Sequence, residues 1–157
     1  MVVYSSHMTT TGETSAAAPP ERRDRTIAAA TGLLLLIGMP IAYFSGDTST
    51  GEVIGFFVLT ALSLALTAWL VLWLAPRERA AGPERATRTA LTLGVLALLA
   101  DALFWTGLPF PLGAGAIALG LWLRDRPAPS GSHVKATTAV ALGTFAEASS
   151  FVALLVG

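Results

Sequence analysis

The stretch RTALTLGVLALLADALFWTG, Arg88–Gly107, decides how this chain folds, because it is an apolar run of helix length with one acidic residue, Asp101, well inside it. On a helix, Asp101 shares its face with Ala97, Gly94 and Ala90, which lie four, seven and eleven residues before it. Most bulky Leu and Phe residues fall on other faces. The small face therefore predicts contact with another helix, with Asp101 directed into a helical bundle.

The composition predicts a membrane protein. Of 157 residues, 54% are hydrophobic and only 13% are charged, whereas about a quarter of the residues of a soluble domain are charged. The formal net charge is zero, which gives no indication of nucleic-acid binding. There is no cysteine, so disulfides, thiolate nucleophiles and cysteine metal sites are excluded.

Five apolar runs along the chain predict an all-α membrane protein, a bundle of five transmembrane helices in one domain over residues 26–157. The fourth run, at about 16 residues, is shorter than a standard span, but its Gly113, Ala116 and Gly120 predict close helix packing. The predicted spans cover residues 26–45, 53–75, 88–107, 108–123 and 134–156.

Residues 1–25 are rich in Ser, Thr, Ala and Pro, and are predicted to form a disordered cytoplasmic tail. Met8 is a plausible alternative start to Met1. The segment 76–87 between the second and third spans carries several charges and is predicted to be a short solvated loop.

The positive charges predict the orientation. All ten Lys and Arg residues lie in or at the edge of three segments: the tail, the 76–87 loop and the 124–135 loop. With five crossings, these segments share one side of the membrane. The positive-inside rule then predicts a multi-pass protein of the cytoplasmic membrane with its N-terminus in the cytoplasm and its C-terminus outside.

Two acids, Asp101 and Glu147, are the candidate functional residues. Both are predicted to lie at similar depth in the outer half of the bilayer, and they become neighbours if the third and fifth spans touch. No Lys, Arg or His lies in the interior of any predicted span to neutralise them. One interpretation is a proton-binding or cation-binding pair on a transport path. The other is a pair of neutral hydrogen-bonding groups that hold helices together.

Hydroxyl side chains accompany the acids. Three of them recur at three- and four-residue spacing in the second span and one lies near Glu147, so they are candidates for a polar lining: Thr60, Ser63, Thr67 and Thr144. Ser and Thr in membrane helices also bond to their own backbone, and packing is the simpler explanation for the stripe.

No enzymatic motif is present: the chain has no G-x-S-x-G, no phosphate-binding Gly loop outside an apolar run and no H-E-x-x-H. Its two histidines, His7 and His133, lie in the tail and in a loop. The sequence therefore predicts neither catalytic activity nor a cofactor or metal.

Two functions are compatible with these features. The first is a non-catalytic accessory or interaction subunit, since the third and fourth runs carry more small residues than a lone bundle needs, and Gly143 adds to them. Its partner would be a larger membrane protein or a second copy of the chain, within the lipid bilayer. The alternative is a proton-linked small-molecule transporter or channel that uses Asp101 and Glu147.

Overall fold

The computed structural model describes residues 20–44, 49–126 and 132–156, and all regular structure in these ranges is helical. A π-helical segment, Trp69–Leu74, joins the second helix to the third, and a 3-10 helix, Asp101–Thr106, follows the fourth. The α-helices are α1 Pro20–Phe44, α2 Thr50–Ala68, α3 Ala75–Ala80, α4 Pro83–Ala100, α5 Pro109–Arg124 and α6 Ser132–Val156.

Four helical stretches are long and apolar enough to cross a membrane: Glu21–Ile41, Gly51–Ala80, Pro83–Thr106 and His133–Val156. The prediction of an all-helical fold with helices of membrane length is thus confirmed. The remaining apolar helix, α5, has 16 residues and is about 24 Å long at 1.5 Å per residue.

The short helix α5 is the centre of the bundle. It packs against α1, α2, α4 and α6, and most of its residues are buried. Its small residues bring neighbouring backbones close: a Cβ atom at Gly120 would lie 2.9 Å from the carbonyl oxygen of Ala136, and one at Gly143 would lie 2.7 Å from the carbonyl oxygen of Gly113. Because protein surrounds α5, it does not need to match the thickness of the lipid.

The first helix begins earlier than the sequence predicts. The disordered tail was expected to reach Arg25, but α1 begins at Pro20, and residues 1–19 lie outside the described part of the chain. Proline is favourable in the first turn of a helix. The carboxylate of Asp24, in the second turn, is buried in an ion pair with Arg79, which holds the start of α1 against the rest of the bundle.

The predicted solvated loop over residues 76–87 is wrong. The helix continues through Ala80, and α4 begins at Pro83 after a turn in which Gly82 has a φ of 111°. The carboxylate of Glu78 is buried here, where it accepts hydrogen bonds from Arg85 and Thr89 at 3.0 and 2.9 Å. These bonds tie α3 to α4 and leave little free loop.

The third predicted span is not one α-helix. The α-helical part ends at Ala100, and the chain continues as a 3-10 helix in which Leu103 has non-helical angles, φ −119° and ψ 40°. Asp101 therefore lies at the end of α4, not inside it. Its carboxylate bonds to α6, and the chain then turns through Gly107, whose φ is 73°.

The turn between α4 and α5 lies deep within the bundle. A Cβ atom at Gly107 would lie 2.8 Å from the hydroxyl of Ser63, which is about 20 Å along α2 from its first residue. Backbone donors are few at this turn because Pro109 and Pro111 lack an N–H group. The N–H group of Leu108 donates to the hydroxyl of Thr106 at 3.3 Å.

The close packing of α5 predicts that alanine destabilises the fold at a packed glycine but not at an open one. In Gly120→Ala the new methyl group would lie 2.6 Å from Cγ2 of Val140, so we expect unfolding to become easier by about 1–3 kcal/mol. Gly55 has no neighbour within 4 Å of its Cβ position, and Gly55→Ala should be neutral or stabilise its helix by up to about 1 kcal/mol. Unfolding of both variants in detergent measures the difference, and equal stability would contradict this packing.

Candidate functional site

Asp101 is attached to α6 through two serine hydroxyls. The Ser149 hydroxyl lies 2.8 Å from Oδ2 of Asp101, and the Ser150 hydroxyl donates to Oδ1. Ser150 is fully buried, whereas Asp101 is half-buried. The Ser149 hydroxyl also lies 2.7 Å from the carbonyl oxygen of Phe145, and its single proton cannot serve both acceptors. Ser150 is therefore the dedicated donor to Asp101.

Glu147 lies between three helices. Its Oε1 accepts a hydrogen bond of 3.2 Å from the hydroxyl of Thr31 in α1, which is buried. On the α5 side, the Cβ position of Gly113 is 2.8 Å from Cγ of Glu147. Only a glycine at this point of α5 leaves room for the glutamate side chain, so Gly113 makes space for Glu147 as well as for the backbone of α6.

The structure brings both acids to α6. Ser150, which holds Asp101, is one helical turn beyond Glu147, a rise of about 4.5 Å. The two carboxylates do not bond to each other, and neither has a basic ion-pair partner among the described residues. The structure therefore forms one polar region with two separately anchored acids.

The predicted hydroxyl lining divides into different environments. Ser63 donates to the carbonyl oxygen of Thr106 at 3.3 Å, and Thr67 donates to the carbonyl oxygen of Ser63 at 2.8 Å. The hydroxyl of Thr60 is buried and has no hydrogen-bond partner in the described part of the chain. Thr144 lies apart from these three residues and is exposed, because the adjacent residue, Gly143, faces α5 and successive helical residues point about 100° apart.

The predicted packing residues all lie in contacts within the chain. A Cβ atom at Gly94 would lie 3.1 Å from the Cβ of Leu142, and the Cβ of Ala116 lies 3.3 Å from the Cβ position of Gly143. Ala90 and Ala97, on the same face of α4, are fully buried. Together with Gly113 and Gly120, these residues hold α4, α5 and α6 together.

A buried ion pair, which the sequence does not predict, lies at the other end of the bundle. Arg79 donates to both carboxylate oxygens of Asp24, at 2.6 and 2.7 Å, and to the carbonyl oxygen of Ala118 at 3.0 Å, so it links α1, α3 and α5. The side chains of Arg79 and Asp24 are only 9% and 5% exposed. The available signal was one acid within the basic start of α1 and a basic residue just after the second span.

Within the described ranges, no three His, Cys, Asp or Glu side chains come together in a way that could hold a metal ion. Four apolar helices of membrane length place the chain in the class of helical proteins compatible with a membrane. Comparison of the chain with protein-family models, with curated proteins and with solved structures gives no match.

The different bonding of Thr60 and Thr67 predicts opposite effects of the same substitution. Thr60→Val removes a buried hydroxyl without a partner and should stabilise the fold by about 1 kcal/mol. Thr67→Val has the same shape change but loses a hydrogen bond, and should destabilise by about 0.5–1 kcal/mol. Unfolding in detergent tests the pair. A destabilised Thr60→Val would mean that this hydroxyl binds water or a ligand.

Proposed function

We propose that the protein is a non-catalytic, multi-pass protein of the cytoplasmic membrane that crosses it five times, with its N-terminus inside and its C-terminus outside. The basic residues support this orientation. Arg23 at the start of α1 pairs with Asp125 after α5, and Asp24 pairs with Arg79, so these helix ends share one end of the bundle.

Aromatic residues at the same end support the orientation. The guanidinium of Arg77 lies 3.4 Å from the centre of the Trp73 ring, and that of Arg126 lies 4.1 Å from the centre of the Trp122 ring. Tryptophan next to arginine is typical of the boundary between membrane and water. On this topology α5 returns the chain to the cytoplasmic side, and α6 crosses outward.

We further propose that Glu147 and Asp101 bind a proton or a small cation on a transport path. The observation that carries this proposal is the position of Glu147, held between α1, α5 and α6 with a single hydrogen bond, from Thr31, and with no basic partner among the described residues. An acid in this position inside a membrane bundle is typical of proton relays and ion sites.

The depths of the two acids give the order in which a proton would meet them. Asp101 lies toward the end of α4, one turn further out than Glu147. Inward from Glu147, α5 and α6 are in backbone contact at Gly120 and Ala136. A proton that enters from the outside would meet Asp101 first and Glu147 second, and its passage to the inside would require α5 and α6 to separate.

The other function that the sequence indicates, and gives first, is an accessory or interaction subunit. The small-residue faces that favoured a partner are occupied by contacts inside the chain. Large apolar side chains are exposed on the outer part of α1 and α2, beyond the turn at Gly107, as they are on α4 and α6, among them Ile37, Ile41, Ile54, Phe57 and Val58. A larger membrane protein or a second copy could cover this surface.

Reporter fusions test the topology. A phosphatase that is active only outside the cytoplasm should be active when fused after Gly157 and inactive when fused after Arg126, because α5 ends on the basic side. Green fluorescent protein at the same positions should give the reverse pattern. Phosphatase activity after Arg126 would show that α5 does not return to the cytoplasmic side.

Proton flux tests the proposed activity. Vesicles that contain the purified protein and a pH-sensitive dye should take up protons under a potassium–valinomycin potential, and Glu147→Gln or Asp101→Asn should reduce uptake to the level of protein-free vesicles. Each variant keeps one side-chain oxygen, which can accept the hydrogen bond from Thr31 in Glu147→Gln or from Ser150 in Asp101→Asn, so their thermal stability should change little.

Glu84→Gln is the matched control for this experiment. Glu84 is exposed and pairs with Arg88 at the basic end of the bundle, so its variant should transport like the unsubstituted protein. Folded Glu147→Gln and Asp101→Asn variants with normal flux would rule out the transport proposal. No flux above that of empty vesicles with any variant would favour the accessory role.

A further inference from the structure

A cavity of about 740 Å³ lies at the basic end of the bundle, away from Asp101 and Glu147. The start of α1, the end of the second membrane-length helix and the end of α5 form its walls. Cavities of this size hold small molecules and parts of larger ligands. Its charged lining residues are Glu21, Asp24, Arg25, Arg79 and Arg126.

Two arginines at the cavity have no ion-pair partner in the described part of the chain. Asp24 and Arg79 neutralise each other through two hydrogen bonds. Arg25 and Arg126 are exposed and form no ion pair in the described part of the chain, so Glu21 is the remaining opposing acid. The walls thus favour an anion.

A buried donor next to this cavity also lacks a partner. The Nε atom of Arg79 is buried without a hydrogen bond among the described residues, although the other two nitrogens of this guanidinium are bonded. A buried unpaired donor is costly. Arg79 lines the cavity, but its Nε atom has almost no accessible surface, so a ligand acceptor reaches it only if this side chain shifts.

The rest of the wall is apolar. Leu72, Pro76 and Trp122 line the cavity, and the Trp122 ring centre lies 4.1 Å from the guanidinium carbon of Arg126 and 5.9 Å from that of Arg79. A ligand that fits both parts of the wall has a negative group next to a hydrocarbon group. A free inorganic anion has no hydrocarbon group to contact the apolar part of the wall.

We propose that this cavity binds the phosphate head group of an anionic phospholipid, with Arg25 and Arg126 at the phosphate and Leu72 and Trp122 along the upper acyl chain. Basic pockets between membrane helices on the cytoplasmic side bind such lipids. The assignment to the cytoplasmic leaflet depends on the proposed topology. The binding chemistry depends on neither the topology nor the transport proposal.

Lipid binding to the purified full-length protein tests this proposal. Dioleoyl phosphatidylglycerol and dioleoyl phosphatidylcholine, which share their acyl chains, are added separately in mild detergent, and bound lipid is counted by native mass spectrometry alongside the melting temperature. We expect phosphatidylglycerol to bind more tightly and to raise the melting temperature. Arg25→Ala and Arg126→Ala should each weaken its binding about fivefold, the contribution of one basic residue near anionic lipid.

Two further variants separate this site from general charge. Arg88→Ala removes an arginine that is 78% exposed at the same end of the bundle but outside the cavity, and should leave the affinity unchanged. Glu21→Gln removes the opposing acid and should tighten binding. An equal loss in Arg88→Ala and Arg126→Ala, or equal binding of the two lipids, would overturn the proposal.

Inorganic phosphate distinguishes a lipid from a soluble anion. If the cavity recognises a lipid, millimolar phosphate should raise the melting temperature far less than phosphatidylglycerol does at the same concentration. An equal increase with phosphate, lost in Arg126→Ala, would identify a soluble anion site and overturn the lipid assignment.

Discussion

The contact between α5 and α6 is the constraint on which the bundle depends. At Gly113 with Gly143, and at Gly120 with Ala136, the two backbones approach so closely that one added methyl group has no space. Helix association in a membrane relies on such packing. Lipid tails are as apolar as leucine, so moving an apolar side chain from lipid into a helix contact gains no hydrophobic free energy. Once α5 and α6 are joined in this way, α4 closes against both, and α1 and α2 cover the remaining sides.

This packing also decides where polar groups can lie. The space opposite Gly113 accommodates Glu147, and one turn later Ser150 anchors Asp101. Both acids therefore depend on the position of α6, so a movement of this helix would change the surroundings of both at once. The ion pair of Asp24 with Arg79 lies at the other end of the bundle and holds α1, α3 and α5 together there.

The sequence predicts where the helices lie well, but it predicts poorly which helices are neighbours in the bundle. The positions of the apolar runs depend on local composition, so four membrane-length helices follow from the chain itself. The end of α4 at Ala100 does not, because it coincides with hydrogen bonds that Asp101 accepts from serines 48 and 49 residues away. The pair of Asp24 with Arg79 is equally distant, at 55 residues, and requires knowledge of which helix ends are neighbours.

For the candidate site, too, the sequence predicts which residues matter better than it predicts their neighbours. The acids stand out because charge is rare in apolar runs. The sequence leaves open whether the third and fifth spans touch, and this contact is what brings Asp101 to the serines of α6. The exposed position of Thr144 does not follow from the sequence, since a single helix does not reveal which side its neighbours occupy. The small residues were identified from their spacing, but spacing cannot tell whether the helix they meet belongs to the same chain or to another.

The deep turn at Gly107 has a consequence for biosynthesis. Its sequence, Gly107 to Pro111, carries no charge, so on the proposed topology α4 and α5 have no charged loop between them and can enter the membrane together as one hairpin. The main partner of α5 is α6, which leaves the ribosome later. Until α6 arrives, the glycine face of α5 has only lipid or a chaperone against it, so assembly of the core is completed only once α6 is in place.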